Sequence, residues 1–288
     1  MRIARSFAEL RSFLPAFRPH PLCLVPTMGA LHEGHGALVD RGRSEGGFVA
    51  VSIFVNPLQF GPTEDLGRYP RTPEKDIEFL EKKGADLVYL PSPEEIVPRD
   101  ATITVNPGPV GALYCGASRP GHFEGVLTIV LKLFHLFGPD LAIFGEKDRQ
   151  QLFLIQKMAR DLALPVRVIG HPTIRESDGL ALSSRNRYLN TEERRRATLF
   201  PHHLTTTKRR WEETPPLTSE ELDSLRTDLE GKLSREGFAV DYVAFVDPDT
   251  FREATLPLPR RVILLAAVFL GKTRLIDNVV IEASLSRV

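Results

Sequence analysis

Short, nearly unbroken apolar runs alternate with longer stretches of helical period in the first part of the chain. Leu22–Pro26, Phe48–Val55, Asp86–Leu90, Thr102–Val105, Leu141–Phe144 and Val166–Ile169 predict strands. Several lack the apolar–polar alternation of a half-exposed strand, as expected where both faces of a sheet are covered. Between them, Ala37–Glu45, Pro73–Lys83, Gly125–Phe137 and Arg149–Leu162 carry a helical period. Gly46-Gly47 and Gly84 stand where a left-handed C-terminal cap is wanted, and Thr72-Pro73 offers an N-cap and a first-turn proline. Strand–helix alternation at this spacing predicts an α/β fold: a Rossmann-like, doubly wound parallel sheet.

The pattern changes after Glu176. Thr191–Trp211 is largely helical, and Thr214-Pro215-Pro216 breaks it. Thr218-Ser219-Glu220-Glu221 then has the form of a capping box opening a helix to about Glu236. Val240–Val246, Val262–Leu270 and Leu275–Ile281 predict strands joined by turns. The expected organisation is therefore a catalytic domain over 1–176 and a smaller α+β domain over 177–288.

Composition narrows the function without naming it. The 288 residues are 42% hydrophobic and 26% charged, ordinary for a globular protein. Lys+Arg and Asp+Glu both number 37, so the basic excess of a nucleic-acid binder is missing. The longest uncharged apolar run, Val262–Leu270, is far short of the ~20 residues that span a bilayer. Met1–Arg18 lacks a signal peptide's apolar core. Two cysteines, Cys23 and Cys115, make neither a disulfide framework nor a structural zinc site, and Cys23 belongs in the core as a reduced thiol. Together these features predict a cytoplasmic protein with neither nucleic acid nor membrane as partner.

In open α/β sheets, ligands bind beyond the carboxyl ends of the strands. Four unusual segments follow four predicted strands: Pro26–His35, Asn56–Phe60, Gly145–Asp148 and Pro172–Arg175. In the first, His32-Glu33-Gly34-His35 departs from the zinc-protease pattern, because its second histidine comes one residue early. Strand, glycine turn, His-x-Gly-His and helix together resemble the signature of the nucleotidylyltransferase and class I aminoacyl-tRNA synthetase superfamily. That likeness implies chemistry at the α-phosphate of ATP, with the helix amino end offering free N–H groups to the phosphates. Neither a P-loop nor a Gly-x-Gly-x-x-Gly fingerprint is present. Lys147, at the end of a strand, suits a phosphate clamp, and Gln151 lies one helical turn on. Leu182-Ser183-Ser184-Arg185 groups two hydroxyls and a guanidinium that suit a β/γ-phosphate contact. Arg194-Arg195-Arg196 has the form of a solvated helix face.

With those segments in view, the chain closely resembles the pantothenate synthetase (pantoate–β-alanine ligase) family. The matching stretches are Pro26–His35, Val51–Phe60, Tyr69–Thr72, Arg119–Phe123, Phe144–Gln151, Asp178–Asn186 and Arg274–Asn278. The resemblance implies that ATP drives the joining of pantoate to β-alanine through a pantoyl-adenylate, with Mg²⁺ present and a homodimer as the assembly. Met28, Gly29, Ala30, Leu31, His32, Glu33, Gly34 and His35 would form the ATP turn, with His35 as proton donor. Gly145, Glu146, Lys147, Asp148, Ile174, Leu182, Ser183, Ser184 and Arg185 would complete the ATP pocket. Gln59 and Gln151 would hold pantoate. Catalysis would rest on His35, His32, Lys147 and Arg185; the protein ligands of the metal stay unknown. Two alternatives remain at this point: a nucleotidylyltransferase acting on a phosphorylated acceptor, and a non-catalytic nucleotide- or RNA-binding module.

Overall fold

A computed structural model describes residues 1–17, 20–62 and 64–282. The chain divides into two compact units, Met1–Ile174 and Arg175–Val288. The first contains six strands: β1 (Arg2–Ala4), β2 (Leu22–Thr27), β3 (Phe48–Ile53), β4 (Leu87–Tyr89), β5 (Leu141–Gly145) and β6 (Arg167–His171). All pair in parallel, in the order β1-β4-β3-β2-β5-β6. From β2 the chain steps outward through β3 to β4, then crosses back to place β5 and β6 on the other side of β2. The order therefore reverses between β2 and β5, the position at which doubly wound sheets bind ligands.

Both faces of this sheet are covered, which explains its unbroken apolar runs. Cys23, Val25, Val49, Val51, Val88 and Ile143 pack with Leu38, Val39 and Leu80 from the helices Glu33–Ser44 and Pro73–Lys82. On the opposite face, the helix His122–Phe137 sets Phe134 edge-on to Phe144 and Phe137 edge-on to Tyr89, with ring centroids 6.4 and 5.7 Å apart. Cys23 is reduced and fully buried, and burial, with help from Glu45, pushes its thiol up to about 12. It is inert core.

Three local expectations fail for physical reasons. Thr102–Val105 is not a strand: no neighbouring strand offers it a ladder, and the Val105 N–H donates to Thr128 Oγ1 at 2.9 Å. Ile103 there is 88% exposed. Strand propensity without a partner does not make a strand. Thr72 makes no capping bond; its hydroxyl donates to Asp76 Oδ1 at 3.2 Å. The box at Thr218 is half formed. Thr218 Oγ1 accepts from the Glu221 N–H, but Glu221 accepts from the Leu217 N–H one residue before the cap. The three-residue β1, carrying a charge, gave no readable signal.

The second unit packs the helices Thr191–Ala197, Leu199–Glu213 and Ser219–Arg235 with an antiparallel sheet, β7 (Ala239–Val246), β8 (Arg261–Leu270) and β9 (Thr273–Glu282), in the order β7-β8-β9. Its core gathers Trp211, Phe200, Leu229, Leu233 and Phe245. A short turn joins β8 to β9, but β7 reaches β8 through a long irregular connection rather than the expected turn. The first two helices are separate because Pro201, in the opening turn of the second, has no N–H to carry the ladder across.

Candidate functional site

The segment after β2 is shaped by backbone strain and relieved by side chains. Gly29 and Ala30 both have positive φ, 81° and 50°. That is easy for glycine and uncommon for alanine. Asp76, buried on the neighbouring helix, accepts the Ala30 N–H at 2.9 Å and the Leu31 N–H at 2.8 Å. His32 then caps the helix Glu33–Ser44. Its Nδ1 accepts the Gly34 N–H at 3.2 Å, while His35 Nδ1 accepts the His32 N–H at 3.3 Å. This is a capping box built from two imidazoles, with ring centroids 4.2 Å apart.

Two consequences follow for the chemistry. Because each Nδ1 is an acceptor, each neutral ring carries its proton on Nε2. Two of the first-turn N–H groups expected to meet phosphates are also in use: Gly34 donates to His32 Nδ1 and His35 to the His32 carbonyl. The side-chain donors this turn can offer an anion are imidazole N–H groups. Burial, then the neighbouring His32 and Lys147, lowers His35 to about 3, against an opposing pull from Asp148. His35 is neutral at physiological pH. Protonating Nδ1 would break the cap and set a second cation beside Lys147.

The segment after β5 lies within electrostatic reach of this pair. Gly145 leads into a short 3-10 turn, Glu146–Asp148, and then the helix Arg149–Asp161. Lys147 is largely covered, with Nζ 3.4 Å from Asp148 Oδ2, and Glu146 pairs with Arg149 at 2.7 Å. Two adjacent glutamines follow with opposite fates. Gln150 is buried and saturated, donating to the Val110 and Leu113 carbonyls and accepting the Cys115 N–H. Gln151 is half-buried, and its side chain has no hydrogen-bond partner among the described residues.

After β3, Asn56 caps the turn Pro57–Gln59 by accepting the Leu58 N–H at 3.0 Å. Its amide nitrogen reaches Gln59 Oε1 at 2.9 Å and the Gly125 carbonyl at 3.0 Å. With its oxygen so engaged, the Gln59 side chain has an NH₂ left to donate. Gly125 lets this turn lie directly on the helix backbone, since a Cβ there would stand 2.3 Å from the Leu58 oxygen. Arg119 and His122 hold the Gln59 carbonyl at 3.2 and 2.9 Å. Arginine only donates, so His122 Nε2 accepts from Arg119 at 3.0 Å and Nδ1–H donates to Gln59. Burial and the Arg119 charge lower His122 to about 4, preserving that neutral tautomer. Burial works against the Glu64 carboxylate, yet its pairing with Arg119 brings it below its ordinary value.

Ile174 ends the first unit. Leu182–Arg185 belong to the second, where Ser183 Oγ accepts the Arg185 N–H at 3.3 Å and opens a 3-10 turn, Ser184–Tyr188. A charged network braces this loop from behind. Asn186 ties Glu176 to the Ala181 carbonyl, and Arg194 bridges Glu176 and Asp178 at 2.6 and 2.7 Å. Arg175 binds the buried Asp277 through two bonds, at 2.7 and 2.8 Å. Arg194 is thus no solvated face, contrary to expectation; Arg195, 76% exposed, is. Sequence reasoning also left Asp76, Asn56, Arg119, His122 and Gly125 without roles. Only the Asn-Pro pair, a turn signal, hinted at the Asn56 cap.

A parallel sheet whose strand order reverses beside a strand, glycine turn, His-x-Gly-His and helix defines an α/β protein of the HxGH class. Within that class, the family model for pantoate-beta-alanine ligase matches residues 2–280, and the chain belongs to that family. It is similar to the pantothenate synthetase of Thermoanaerobacter sp. (strain X514), 48% identical over 257 residues, 88% of this chain and 89% of that one. That of Pseudomonas savastanoi pv. phaseolicola is 46% identical over 96% of this chain and 98% of its own. Among solved structures, the pantothenate synthetase of Thermus thermophilus aligns with TM-score 0.89 and 44% identity, covering 97% of this chain and 99% of that one. The pantoate-beta-alanine ligase of Francisella tularensis, complexed with beta-gamma ATP and beta-alanine, aligns with TM-score 0.81 and 33% identity, covering 97% of each chain. Ligation of pantoate to β-alanine is the activity that goes with this family. The match along the chain's length sets aside the nucleotidylyltransferase and binding-module alternatives. No helix among the described residues is long and apolar enough to cross a membrane.

Proposed function

We propose that the chain uses ATP to make the amide in two steps. The pantoate carboxylate attacks the α-phosphorus of ATP, forming pantoyl-adenylate and expelling pyrophosphate. The β-alanine amine then attacks the acyl carbon, and AMP leaves. Neither step needs a protein nucleophile. Alignment and stabilisation of charge on the phosphorus carry the catalysis.

The observation that carries this reading is the division of labour at the sheet's reversal. The turn after β2 offers imidazole N–H donors and the segment after β5 the Lys147 cation, which suit phosphate. The amides of Gln59, after β3, and of Gln151, one helical turn beyond Lys147, satisfy pantoate's hydroxyls and orient its carboxylate without a full charge to quench it. Met28–His35 and Gly145–Asp148 make the ATP pocket with Ile174. Leu182, Ser183, Ser184 and Arg185 are the further ATP contacts of this reading, Arg185 as a second cation. His35 acts as a neutral hydrogen-bond donor. Mg²⁺, bound with ATP, would supply positive charge to the phosphates. Among the described residues, no group of three His, Cys, Asp or Glu could hold a metal by itself. The compartment is the cytoplasm and the assembly a homodimer; sedimentation at micromolar concentration tests the latter, and a monomer there refutes it.

Pantoate labelled with ¹⁸O in its carboxylate tests the mechanism. Attack on the α-phosphorus leaves one labelled oxygen in AMP after amide formation. Unlabelled AMP would refute the adenylate.

A further inference from the structure

The turn after β2 is itself an anion receptor. Consecutive left-handed residues, Gly29 and Ala30, accompany backbone N–H groups of Ala30 and Leu31 that both bond one carboxylate, and successive N–H groups in such a bend form a concavity that binds anions. Its occupant comes from the protein. Asp76, 3% exposed, places Oδ2 2.9 Å from the Ala30 nitrogen and Oδ1 2.8 Å from the Leu31 nitrogen, and the Thr72 hydroxyl donates to Oδ1 at 3.2 Å. Space around the carboxylate is filled. A Cβ on Gly29 would lie 3.0 Å from Asp76 Oδ2 and 3.1 Å from Ile53 Cγ2. The turn leads directly into the His32–His35 cap.

We propose that Asp76 is a positioning residue for ATP: it sets the shape of the Met28–Leu31 turn and, through it, the placement of the His32–His35 pair. It touches no substrate. By filling the two N–H groups it also keeps phosphate off Ala30 and Leu31, leaving the imidazoles as the side-chain phosphate donors of the segment. The inference rests on reading the segment after β2 as the ATP site. Two parallel N–H donors require two acceptors, which a carboxylate has and an amide lacks. In Asp76→Asn the NH₂ must face one of the N–H groups, although size and burial hardly change.

The test compares wild type, Asp76→Asn and Thr72→Val by ATP binding, by steady-state kinetics in each substrate, and by the ¹H–¹⁵N signals of Ala30 and Leu31. In Asp76→Asn the KM for ATP should rise about 10- to 100-fold, the loss of one buried charge-assisted bond. The KM for pantoate should stay within about twofold, and the two amide signals should move upfield. Thr72→Val should shift the same quantities in the same direction by less, which keeps the question answerable if Asp76→Asn folds poorly. Unchanged ATP KM and amide signals would overturn the proposal. So would equal losses towards both substrates alongside a lowered Tm, the mark of a merely structural carboxylate. Failure of the wild type to bind ATP would instead refute the ATP reading, and the amide signals would still report whether Asp76 holds the turn.

Discussion

The segments after β2 and after β3 leave adjacent strands of one sheet, yet they are pinned in opposite senses. After β2, the protein holds the backbone by its N–H groups, through the acceptors Asp76, His32 Nδ1 and His35 Nδ1. After β3, it holds the Gln59 carbonyl through the donors Arg119 and His122, and docks the turn on the bare backbone of Gly125. The first arrangement leaves imidazole N–H groups to meet an anion. The second leaves amide donors to meet hydroxyls and a carboxylate that must keep its lone pairs. Rigidity in both draws on buried polar partners beyond the reacting residues, Asp76 in one and Asn56, Arg119 and His122 in the other, which is how a site on loops keeps its geometry.

Breaking the β3 arrangement should have the largest effect. In Gly125→Ala the new Cβ would stand 2.3 Å from the Leu58 oxygen and 2.7 Å from the Gln59 nitrogen, so the turn must move. Displacement on the scale of 1 Å predicts about a 10²-fold or greater fall in kcat/KM for pantoate, with ATP binding preserved. Equal damage to both substrates would dissolve the distinction. Next is Lys147→Ala, expected to slow single-turnover adenylation by roughly 10²-fold, the scale for one lost charge donor. An unchanged rate would remove Lys147 from the site.

The adjacent glutamines sharpen the contrast at smaller scale. Gln151→Ala should raise the KM for pantoate by about tenfold with little change in Tm, the scale of one lost hydrogen bond to substrate. Gln150→Ala should cost about 1–3 kcal/mol of stability, because it removes three buried hydrogen bonds, to the Cys115 N–H and to the carbonyls of Val110 and Leu113. Denaturant titration and pantoate kinetics on both variants separate the two roles. Swapped outcomes would refute the assignment.

A further effect, seen only below physiological pH, is on stability. His35 is depressed to about 3, by burial first, against about 6.5 unfolded. The unfolded chain therefore binds the extra proton between those values. The stability contributed by the neutral ring is complete above about pH 6.5 and is lost as pH falls towards about 3. Urea midpoints should drop over this range more steeply in wild type than in His35→Gln. Parallel profiles would show that the cap does not depend on a neutral ring.

Much of this was legible in sequence, for identifiable reasons. Leu22–Thr27 and Phe48–Ile53 are apolar because both faces are covered, and the glycine- and histidine-rich exit of the first and the Asn-Pro-Leu-Gln exit of the second stand out against them. The place of Gln151 on the helix one turn beyond Lys147 was legible from spacing. Asp76 was not, because Pro73–Lys82 looks like any charged surface helix, and its contact bridges 45 residues of chain to Leu31. Gly125 resembles an ordinary helix glycine until the turn that lies on it is seen. Arg194, within three consecutive arginines, gives no sign of which one faces Glu176. The Thr102–Val105 expectation failed because propensity carries no information about partners. Tautomers, finally, are set by which nitrogen meets which backbone group, and only coordinates supply that.

The most direct test of the account is exchange of labelled pyrophosphate into ATP, run with Mg²⁺ and without β-alanine. The account predicts exchange that requires pantoate, falls steeply in Lys147→Ala and survives in Gln150→Ala. Exchange without pantoate, or none from folded protein that binds ATP, would contradict the adenylate and the division of labour built on it.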